Sequence, residues 1–264
     1  MSLSMQVNSQ KASDSPISTI ILLTSKVVEG SLVPILRRHS DKISIKLAES
    51  LDDLRSIPPD RLAGARLLSF GSKCIVPPDI LHSLGFLAYN FHPGPPTYPG
   101  WAPCHFAVYD GASRYGTTVH EMIEQVDAGP IIGLDKFPVP ADASVQDLTF
   151  LALASMDRLF TSLAGTLVTS NQPLARLTIS WASRRTTRKT FAACCAIPPD
   201  IESHELRRRL KAFGGGDGHC VPTLTRNGLR YVPAPENSDS ADPTDIEIHG
   251  IRFVLAPSQT ARRG

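Results

Sequence analysis

The sequence lacks the features that mark membrane, secreted and strongly basic nucleic-acid-binding proteins. Its 264 residues contain no uninterrupted apolar run near the roughly 18 residues that cross a bilayer. Residues 1–16 are polar, without the charged and then apolar order of a secretory signal. The formal net charge is only +2, too small by itself to indicate nucleic-acid binding. We therefore expect a cytoplasmic protein with no membrane partner.

The cysteines and glycines exclude two further classes. Five cysteines, an odd number without the spacing of metal ligands, fit neither a disulfide framework nor a zinc site, and we expect free thiols. The first predicted strand is followed by Thr24, Ser25 and Lys26, not by the Gly-x-Gly-x-x-Gly turn that binds dinucleotide phosphates. A nicotinamide dinucleotide is therefore not expected. The cysteines are Cys74, Cys104, Cys194, Cys195 and Cys220.

The sequence does contain an alternation of buried strands and helices. Residues 17–24 form a continuous β-branched and leucine-rich run, typical of a strand buried on both faces of a parallel sheet. The order of strand and helix then repeats, which predicts an open, mostly parallel α/β sheet with right-handed crossovers and helices on both faces. The predicted strands are 17–24, 43–47, 66–70 and 86–90, and the predicted helices are 26–38, 52–57 and 78–84.

The rest of the chain predicts the end of this main domain and a small second one. Further strands are predicted at 116–124 and 131–137, and further helices at 102–109 and 145–168. Residues 178–199 are predicted to be a linker, and 200–264 a small, mostly β C-terminal domain, because short strand patterns are separated there by loop-like sequence. We expect residues 1–16 to be disordered or loosely ordered and residues 17–177 to form the main domain.

Asn90 and His92 are the first candidate site residues. They lie where the fourth predicted strand ends, and ligands of open α/β sheets bind at the carboxyl ends of strands. Side chains two apart on an extended segment point to the same side, so both can face one cleft while Phe91 packs the other way. An amide donor and an imidazole held together suit the stabilisation of a developing oxyanion. A turn cap and a loop histidine are the structural alternative for these residues alone.

Asp127 is the third candidate. It lies in a turn of small and rigid residues, 126–130, between two apolar predicted strands. An aspartate in such a turn commonly bonds nearby backbone amides, so by itself it predicts only a structural role. A carboxylate within reach of His92 would instead orient the imidazole, favour its cationic form and relay a proton through water.

Together these segments resemble the folate-dependent formyltransferases, which include methionyl-tRNA, glycinamide ribonucleotide and amino-sugar formyltransferases. The resemblance covers about residues 17–168 and follows the family order of an Asn-x-His motif, a proline-bearing loop, a Gly-Thr-Thr strand and an Asp-x-Gly turn. It departs from the family after the histidine, where residues 93–97 (PGPPT) replace Pro-Ser-Leu-Leu-Pro. The matching segments are Asn90-Phe91-His92-Pro93, Tyr98-Pro99-Gly100-Trp101-Ala102-Pro103, Gly116-Thr117-Thr118-Val119-His120 and Asp127-Ala128-Gly129-Pro130.

The resemblance implies a Rossmann-like catalytic domain that uses 10-formyltetrahydrofolate as formyl donor and no metal. It implies that an amine attacks the formyl carbon, that Asn90 and a protonated His92 hold the oxyanion, and that Asp127 assists proton removal and keeps His92 charged. Residues 69–77 are similar to the family segment whose backbone lies against the pterin ring. The implied folate-binding residues are Phe70, Gly71, Ser72, Ile75, Val126 and Ala128.

The acceptor is left open by the sequence. We expect a small-molecule amine, such as a nucleotide-linked amino sugar, ornithine or hydroxyornithine; the alternatives are a charged initiator tRNA, water in a formyltetrahydrofolate hydrolase, and a binding module without activity. Basic residues within 184–189 and 207–211 could meet phosphates, but Leu206 and Leu210 at helical spacing indicate a helix whose charges face solvent. Nucleic acid is therefore the less expected partner, and a homodimer stays open.

Overall fold

The structure is a computed structural model that describes residues 16–215, 220–235 and 242–257. The chain divides into two compact units. The first comprises Met1–Gly100, Arg114–Pro138 and Thr149–Arg184, and the second comprises Trp101–Ser113, Val139–Leu148 and Arg185–Gly264. The segment 1–16, predicted to be disordered or loosely ordered, lies outside the described residues except for Pro16.

The first unit is built on a six-stranded sheet. Its strands are β1 (Thr19–Leu23), β2 (Ser44–Ala48), β3 (Ala65–Phe70), β4 (Tyr89–His92), β5 (Arg114–Glu121) and β6 (Ile131–Pro138). Their order across the sheet is β2-β1-β3-β4-β5-β6. The first four strands pair in parallel, whereas β5 and β6 run antiparallel to their neighbours. The predicted Rossmann-like, mostly parallel α/β fold is thereby confirmed.

Helices separate the strands along the chain. They are α1 (Lys26–Arg37), α2 (Leu51–Arg55), α3 (Pro59–Ala63), α4 (Pro78–Ser83), α5 (Pro103–Asp110), α6 (Val145–Thr169), α7 (Arg188–Cys195) and α8 (Ser203–Phe213). Local sequence fixes several starts: Ser25 caps α1 by accepting the N–H of Val28, and Ser50 forms a reciprocal capping box with Asp53 at α2.

Strand β1 shows how the sheet is buried on both faces. Ile20 and Leu22 belong to one apolar cluster, which also contains residues of α1 and α6, whereas Ile21 belongs to the cluster that contains residues of α2, α3 and α4. Because successive side chains of a strand point to opposite faces, a continuous apolar run is what such a strand requires.

Helix α6 is long and apolar enough to cross a membrane by length and composition. The core helix of a soluble protein passes the same test, and Met156, Phe160 and Ala164 of α6 are buried in the core of the first unit. Asp157 and Arg158, between them along the chain, are exposed. This pattern is that of an amphipathic helix on a sheet.

The second unit contains a five-stranded sheet of order β10-β11-β9-β8-β7. These strands are β7 (Ala196–Ile197), β8 (Thr223–Arg226), β9 (Leu229–Pro233), β10 (Ile246–Ile248) and β11 (Ile251–Leu255). Two-residue turns, Asn227-Gly228 and His249-Gly250, join the hairpins with positive φ at both positions, as type I′ turns require. Leu206 of α8, Leu224, Tyr231 and Phe253 form the apolar core.

Among the segments that differ from their sequence predictions, two bear on the site. The segment 178–199, predicted to be a linker, contains helix α7 and strand β7, because Thr187 and Thr190 form a capping box and Phe191 and Cys195 are buried one turn apart. The fourth strand was predicted at 86–90 but spans Tyr89–His92. Pairing with β5 extends to His92, so the Asn-x-His motif lies within the strand rather than beyond it.

Candidate active site

Strand β4 and its neighbour β5 bring three polar side chains together in the first unit. Phe91 packs against Phe70 and Phe160 in the core, so Asn90 and His92 point to the opposite face of the sheet. The antiparallel register places His120 directly opposite Asn90. The side-chain nitrogen of Asn90 lies 3.1 Å from Nε2 of His120.

The carboxylate of Asp127 lies between the two imidazoles. Its Oδ2 is 3.5 Å from Nδ1 of His92, and its Oδ1 is 3.3 Å from Nε2 of His120. The backbone N–H of Gly100 donates to Oδ2 at 2.9 Å. Asp127 has a φ of 46°, in the left-handed region that is costly for a residue other than glycine. The three residues named from the sequence, Asn90, His92 and Asp127, are therefore brought together, with His120 among them.

Burial determines which member of the His92–Asp127 pair carries the charge. Burial lowers the pKa of His92 below its ordinary value, and the attraction of Asp127 does not fully offset it. The resemblance implies that Asp127 keeps His92 charged, but removal from water disfavours the imidazolium more than the carboxylate favours it. Burial therefore favours the neutral form of the His92 ring.

Asp127 is the charged partner. Burial by itself raises its pKa, but the neighbouring His92 and His120 and the Gly100 N–H lower the pKa to about 2. Nε2 of His92 lies 3.1 Å from the carbonyl oxygen of Tyr98, which accepts hydrogen bonds only. Both ring nitrogens of His92 thus face oxygen acceptors. A proton that reached this ring would be held between Tyr98 and Asp127.

His120 was not singled out as a site residue from the sequence. Its Nδ1 donates to the carbonyl oxygen of Glu121 at 2.8 Å, which fixes the hydrogen on Nδ1 and turns Nε2 toward Asn90 and Asp127. Glu121 is itself buried and pairs through both carboxylate oxygens with Arg176, at 2.8 and 2.9 Å. The signal that could have identified His120 is its place in the Gly-Thr-Thr-Val-His segment of the resemblance.

The loop that departs from the family pattern is tied to β5. The hydroxyl of Tyr115 donates to the carbonyl of Pro93 at 2.8 Å, and the hydroxyl of Thr118 donates to the carbonyl of Gly94 at 2.7 Å. Tyr98 closes a turn by donating its N–H to the carbonyl of Pro95. The segment therefore has its own anchors, and these position the Tyr98 carbonyl against His92.

Gly129 explains why the Asp-x-Gly turn needs a glycine. A Cβ at this position would lie 1.9 Å from the carbonyl oxygen of Glu121, far inside contact distance. Its carbonyl also accepts the indole N–H of Trp181 at 2.8 Å. The ring of Trp181 meets His92 edge-on at a centroid distance of 5.7 Å and His120 at 5.1 Å. Trp181 lies in the segment that the sequence predicted to be a linker.

The implied folate-binding residues differ in exposure. Gly71 follows β3 with a φ of 61°, and Ile75 and Val126 expose 67% and 48% of their surface, which is high for large apolar side chains. Ser72 and Ala128 are half-buried. The side chain of Phe70, by contrast, is buried against Phe91 and Phe160, so it is not available to a ligand.

The site lies within the described ranges 16–215, 220–235 and 242–257. In them, no group of three or more His, Cys, Asp or Glu side chains is arranged to hold a metal ion. The polar residues of the site instead pair with one another and with backbone.

The fold and the site define an α/β protein with a buried carboxylate between two imidazoles and beside an amide donor, a set of groups suited to transfer at a carbonyl carbon. Residues 67–154 match the family model described as formyl transferase. They contain Asn90, His92, His120 and Asp127. This match supports, over residues 67–154, the resemblance to formyltransferases seen in the sequence.

Relatives by sequence include methionyl-tRNA formyltransferases. The enzyme of Streptococcus suis strain 05ZYH33 is 30% identical over 131 residues, which are 49% of this chain and 40% of that one. The enzyme of Listeria monocytogenes strain EGD-e is 28% identical over 173 residues, 63% of this chain and 54% of that one. The chain thus spans about half, or less, of the length of these relatives.

Similar solved structures include a sugar N-formyltransferase from Shewanella sp. FDAARGOS_354, with a TM-score of 0.67 and 18% identity over 81% of this chain and 95% of that one. A 4-N formyltransferase from Francisella tularensis has a TM-score of 0.66 and 18% identity, covering 86% of this chain and 100% of that one. At this identity the likeness establishes the fold.

Proposed function

We propose that this protein is an N-formyltransferase that moves a formyl group from 10-formyltetrahydrofolate to the amine of a small molecule. The observation that carries the proposal is the ionised Asp127 between two buried imidazoles, 3.5 Å from His92 and 3.3 Å from His120, with Asn90 alongside. Amine attack on a formyl carbon requires a base, a group that carries the proton, and a hydrogen-bond donor to the oxyanion.

Each of these residues has a distinct role in the proposed reaction. The amide of Asn90 uses one hydrogen toward His120 and keeps the other for the developing oxyanion. The ionised Asp127 draws the proton that the attacking amine loses, and His92 receives it between two oxygen acceptors. The protonated His92 then assists the oxyanion and the departing tetrahydrofolate nitrogen. The cationic His92 is thus formed during the reaction.

The exposed apolar side chains of Ile75 and Val126 support a pterin-binding role for their segments. We assign the folate contacts to Gly71, Ser72, Ile75, Val126 and Ala128, and to the backbone of Phe70. The N-formyltransferase of Helicobacter canadensis, which shares this fold, was crystallised with folinic acid and dTDP-3-aminofucose. We extend the folate donor, and an amino sugar as the first acceptor to test, from that protein to this chain.

Two of the four Arg and Lys residues of α8 are held by contacts within the second unit, which favours a small acceptor over tRNA. Arg208 stacks on Tyr109 and donates to its carbonyl, and Arg209 pairs with Glu205 and donates to the carbonyl of Ala196. Side chains committed to such contacts within the second unit are poorly placed to bind phosphates. We therefore propose a small-molecule amine, with the reaction in the cytoplasm.

The test is to incubate purified protein with 10-formyltetrahydrofolate and separate amines, and to follow release of tetrahydrofolate. The panel contains a dTDP-linked 3-amino sugar, ornithine, hydroxyornithine and charged initiator tRNA, with a water-only control. Release that depends on a small amine and yields its formylated product supports the proposal. Release only with tRNA assigns the acceptor to nucleic acid. Equal release in the water control identifies a hydrolase and contradicts the proposal.

A further inference from the structure

The segment that follows α6 is fastened to the parts of the first unit that carry the site. We call residues 174–182 the strap; it has neither helix nor strand. Five of its groups bond elsewhere. They are Leu174 N–H to the Tyr89 hydroxyl (3.1 Å), Arg176 to Glu121 (2.8 Å), Leu177 N–H to the Ile131 carbonyl (2.7 Å), Trp181 Nε1–H to the Gly129 carbonyl (2.8 Å) and Ala182 N–H to the Pro96 carbonyl (2.8 Å).

Three of these bonds connect the strap to the elements that position the site residues. Glu121 follows His120 on β5, and Gly129 belongs to the turn that carries Asp127. Pro96 belongs to the loop whose Tyr98 carbonyl faces His92. A segment that bonds to all three elements holds their relative positions. Residues 175–180 of the strap are exposed, so it does so from the surface of the first unit.

Trp181 is the part of the strap that reaches the reacting groups. Its ring stands nearly perpendicular to both imidazoles, at 77° to His92 and 90° to His120. Both histidines are almost fully buried, with 4% and 3% of their surface exposed. A flat apolar ring against two imidazoles keeps solvent from them, and the bond to Gly129 fixes the orientation of that ring.

Control of water matters because two nucleophiles compete for the same carbon. If an amine attacks, a C–N bond to the acceptor forms, the bond between the formyl carbon and the folate nitrogen breaks, and the amine proton ends on tetrahydrofolate. If water attacks, a C–O bond forms and the products are formate, tetrahydrofolate and a proton. The same base serves both reactions, so the chemistry of the site alone does not select the amine.

We propose that Trp181 is a positioning residue that excludes water from His92 and His120, so that the formyl group passes to an amine rather than to water. The inference rests on the proposed function and deepens it, since it assigns to one side chain the difference between a transferase and a hydrolase. The evidence for it is geometric: the strap anchors, the two perpendicular ring contacts and the burial of both imidazoles.

The direct test needs no acceptor. Purified protein is incubated with 10-formyltetrahydrofolate alone, and formate and tetrahydrofolate are measured together. We expect slow release by the natural protein, about tenfold faster release by Trp181→Ala, and slow release by Trp181→Phe, which keeps an aromatic ring. Leu54→Ala is the matched control. Leu54 is fully buried in the apolar cluster that contains Ile21, so truncating its side chain destabilises the fold without opening the site.

The outcomes separate the two proposals. Rapid formate release by the natural protein contradicts the transferase assignment itself. Slow release by the natural protein with equally slow release by folded Trp181→Ala overturns the role of Trp181 and leaves the transferase assignment standing. Faster release by Leu54→Ala as well would attribute the effect to general destabilisation and would also overturn it. If Trp181→Ala does not fold, Trp181→Leu takes its place with the same expectation.

A second readout is independent of turnover. NMR titration of the His92 ring, which faces Asp127 and His120 as its titratable neighbours, reports how much water reaches it. Since burial is what lowers the pKa of His92, opening the site in Trp181→Ala should move that pKa back toward its ordinary value. An unchanged titration in a folded variant contradicts water exclusion, whatever the activity shows.

Discussion

Replacing Asp127 by asparagine keeps the shape of the side chain and removes its charge. The pKa of Asp127 is lowered from 3.8 to about 2, and one pKa unit corresponds to about 1.4 kcal/mol, so the folded protein favours the carboxylate by about 2 kcal/mol. A carboxyl with a lowered folded pKa contributes stability above its unfolded pKa and loses it as the pH falls through its folded pKa. This contribution to the free energy of unfolding is therefore lost between about pH 4 and pH 2.

His92 contributes a separate effect at higher pH. Its pKa is lowered from 6.5 by burial, so the unfolded chain takes up a proton before the folded protein does, and stability falls as the pH drops below 6.5. Urea unfolding from pH 7 downward separates the two effects. We expect the natural protein to lose about 2 kcal/mol more than Asp127→Asn between about pH 4 and pH 2.

Activity gives the second measurement on the same variant. Loss of a positioned proton acceptor typically costs a hundredfold or more, so tetrahydrofolate release at neutral pH should fall by about that factor in Asp127→Asn. The bond from the Gly100 N–H can be kept by the amide oxygen, so the variant should fold. Parallel stability curves for the two proteins, or near-normal turnover of the folded variant, would refute the charge assignment.

Three further substitutions test other parts of the site. Asn90→Ala should lower turnover about a hundredfold or more by removing an oxyanion donor, with circular dichroism unchanged; near-normal turnover counts against that role. His120→Ala should lower turnover about tenfold or more by freeing the Asn90 amide, and an unaltered rate would make His120 merely structural. Gly129→Ala should lower the melting temperature and the activity, because its Cβ would lie 1.9 Å from the Glu121 carbonyl. The control Gly133→Ala, whose Cβ would meet only side-chain atoms at 3.5 Å, should be tolerated, and equal effects of the two would contradict this explanation.

Patterns among neighbouring residues were sufficient to predict the buried strands of the main sheet. The apolar run around β1 predicted a strand buried on both faces, and Ile20 and Ile21 do belong to different core clusters. The alternation of side chains along β4 predicted that Asn90 and His92 face one way and Phe91 the other, which the packing of Phe91 on Phe160 supports. Both predictions use only neighbours along the chain.

The missing parts of the site depend on pairing between distant segments. His120 meets Asn90 because β5 runs antiparallel to β4 in one register, and a shift of one residue would turn His120 to the other face. Trp181 reaches both imidazoles from a segment without regular structure, where no periodic pattern indicates direction. The lowered pKa of His92 follows from burial, which the sequence around it does not reveal.

The turn that carries Asp127 shows how the fold fixes one carboxylate. Asp127 adopts a left-handed backbone that costs on the order of 1 kcal/mol, and Gly129 approaches the Glu121 carbonyl where a side chain could not fit. Neither feature favours folding by itself. Both features are explained if the turn serves to fix the position of the Asp127 carboxylate. The Gly100 N–H donates to Oδ2 of that carboxylate, and the indole N–H of Trp181 donates to the Gly129 carbonyl in the same turn. A functional turn is expected to combine local backbone strain with contacts that offset it. Here these contacts come from separate parts of the first unit, and Trp181 provides one of those that hold Asp127 in place.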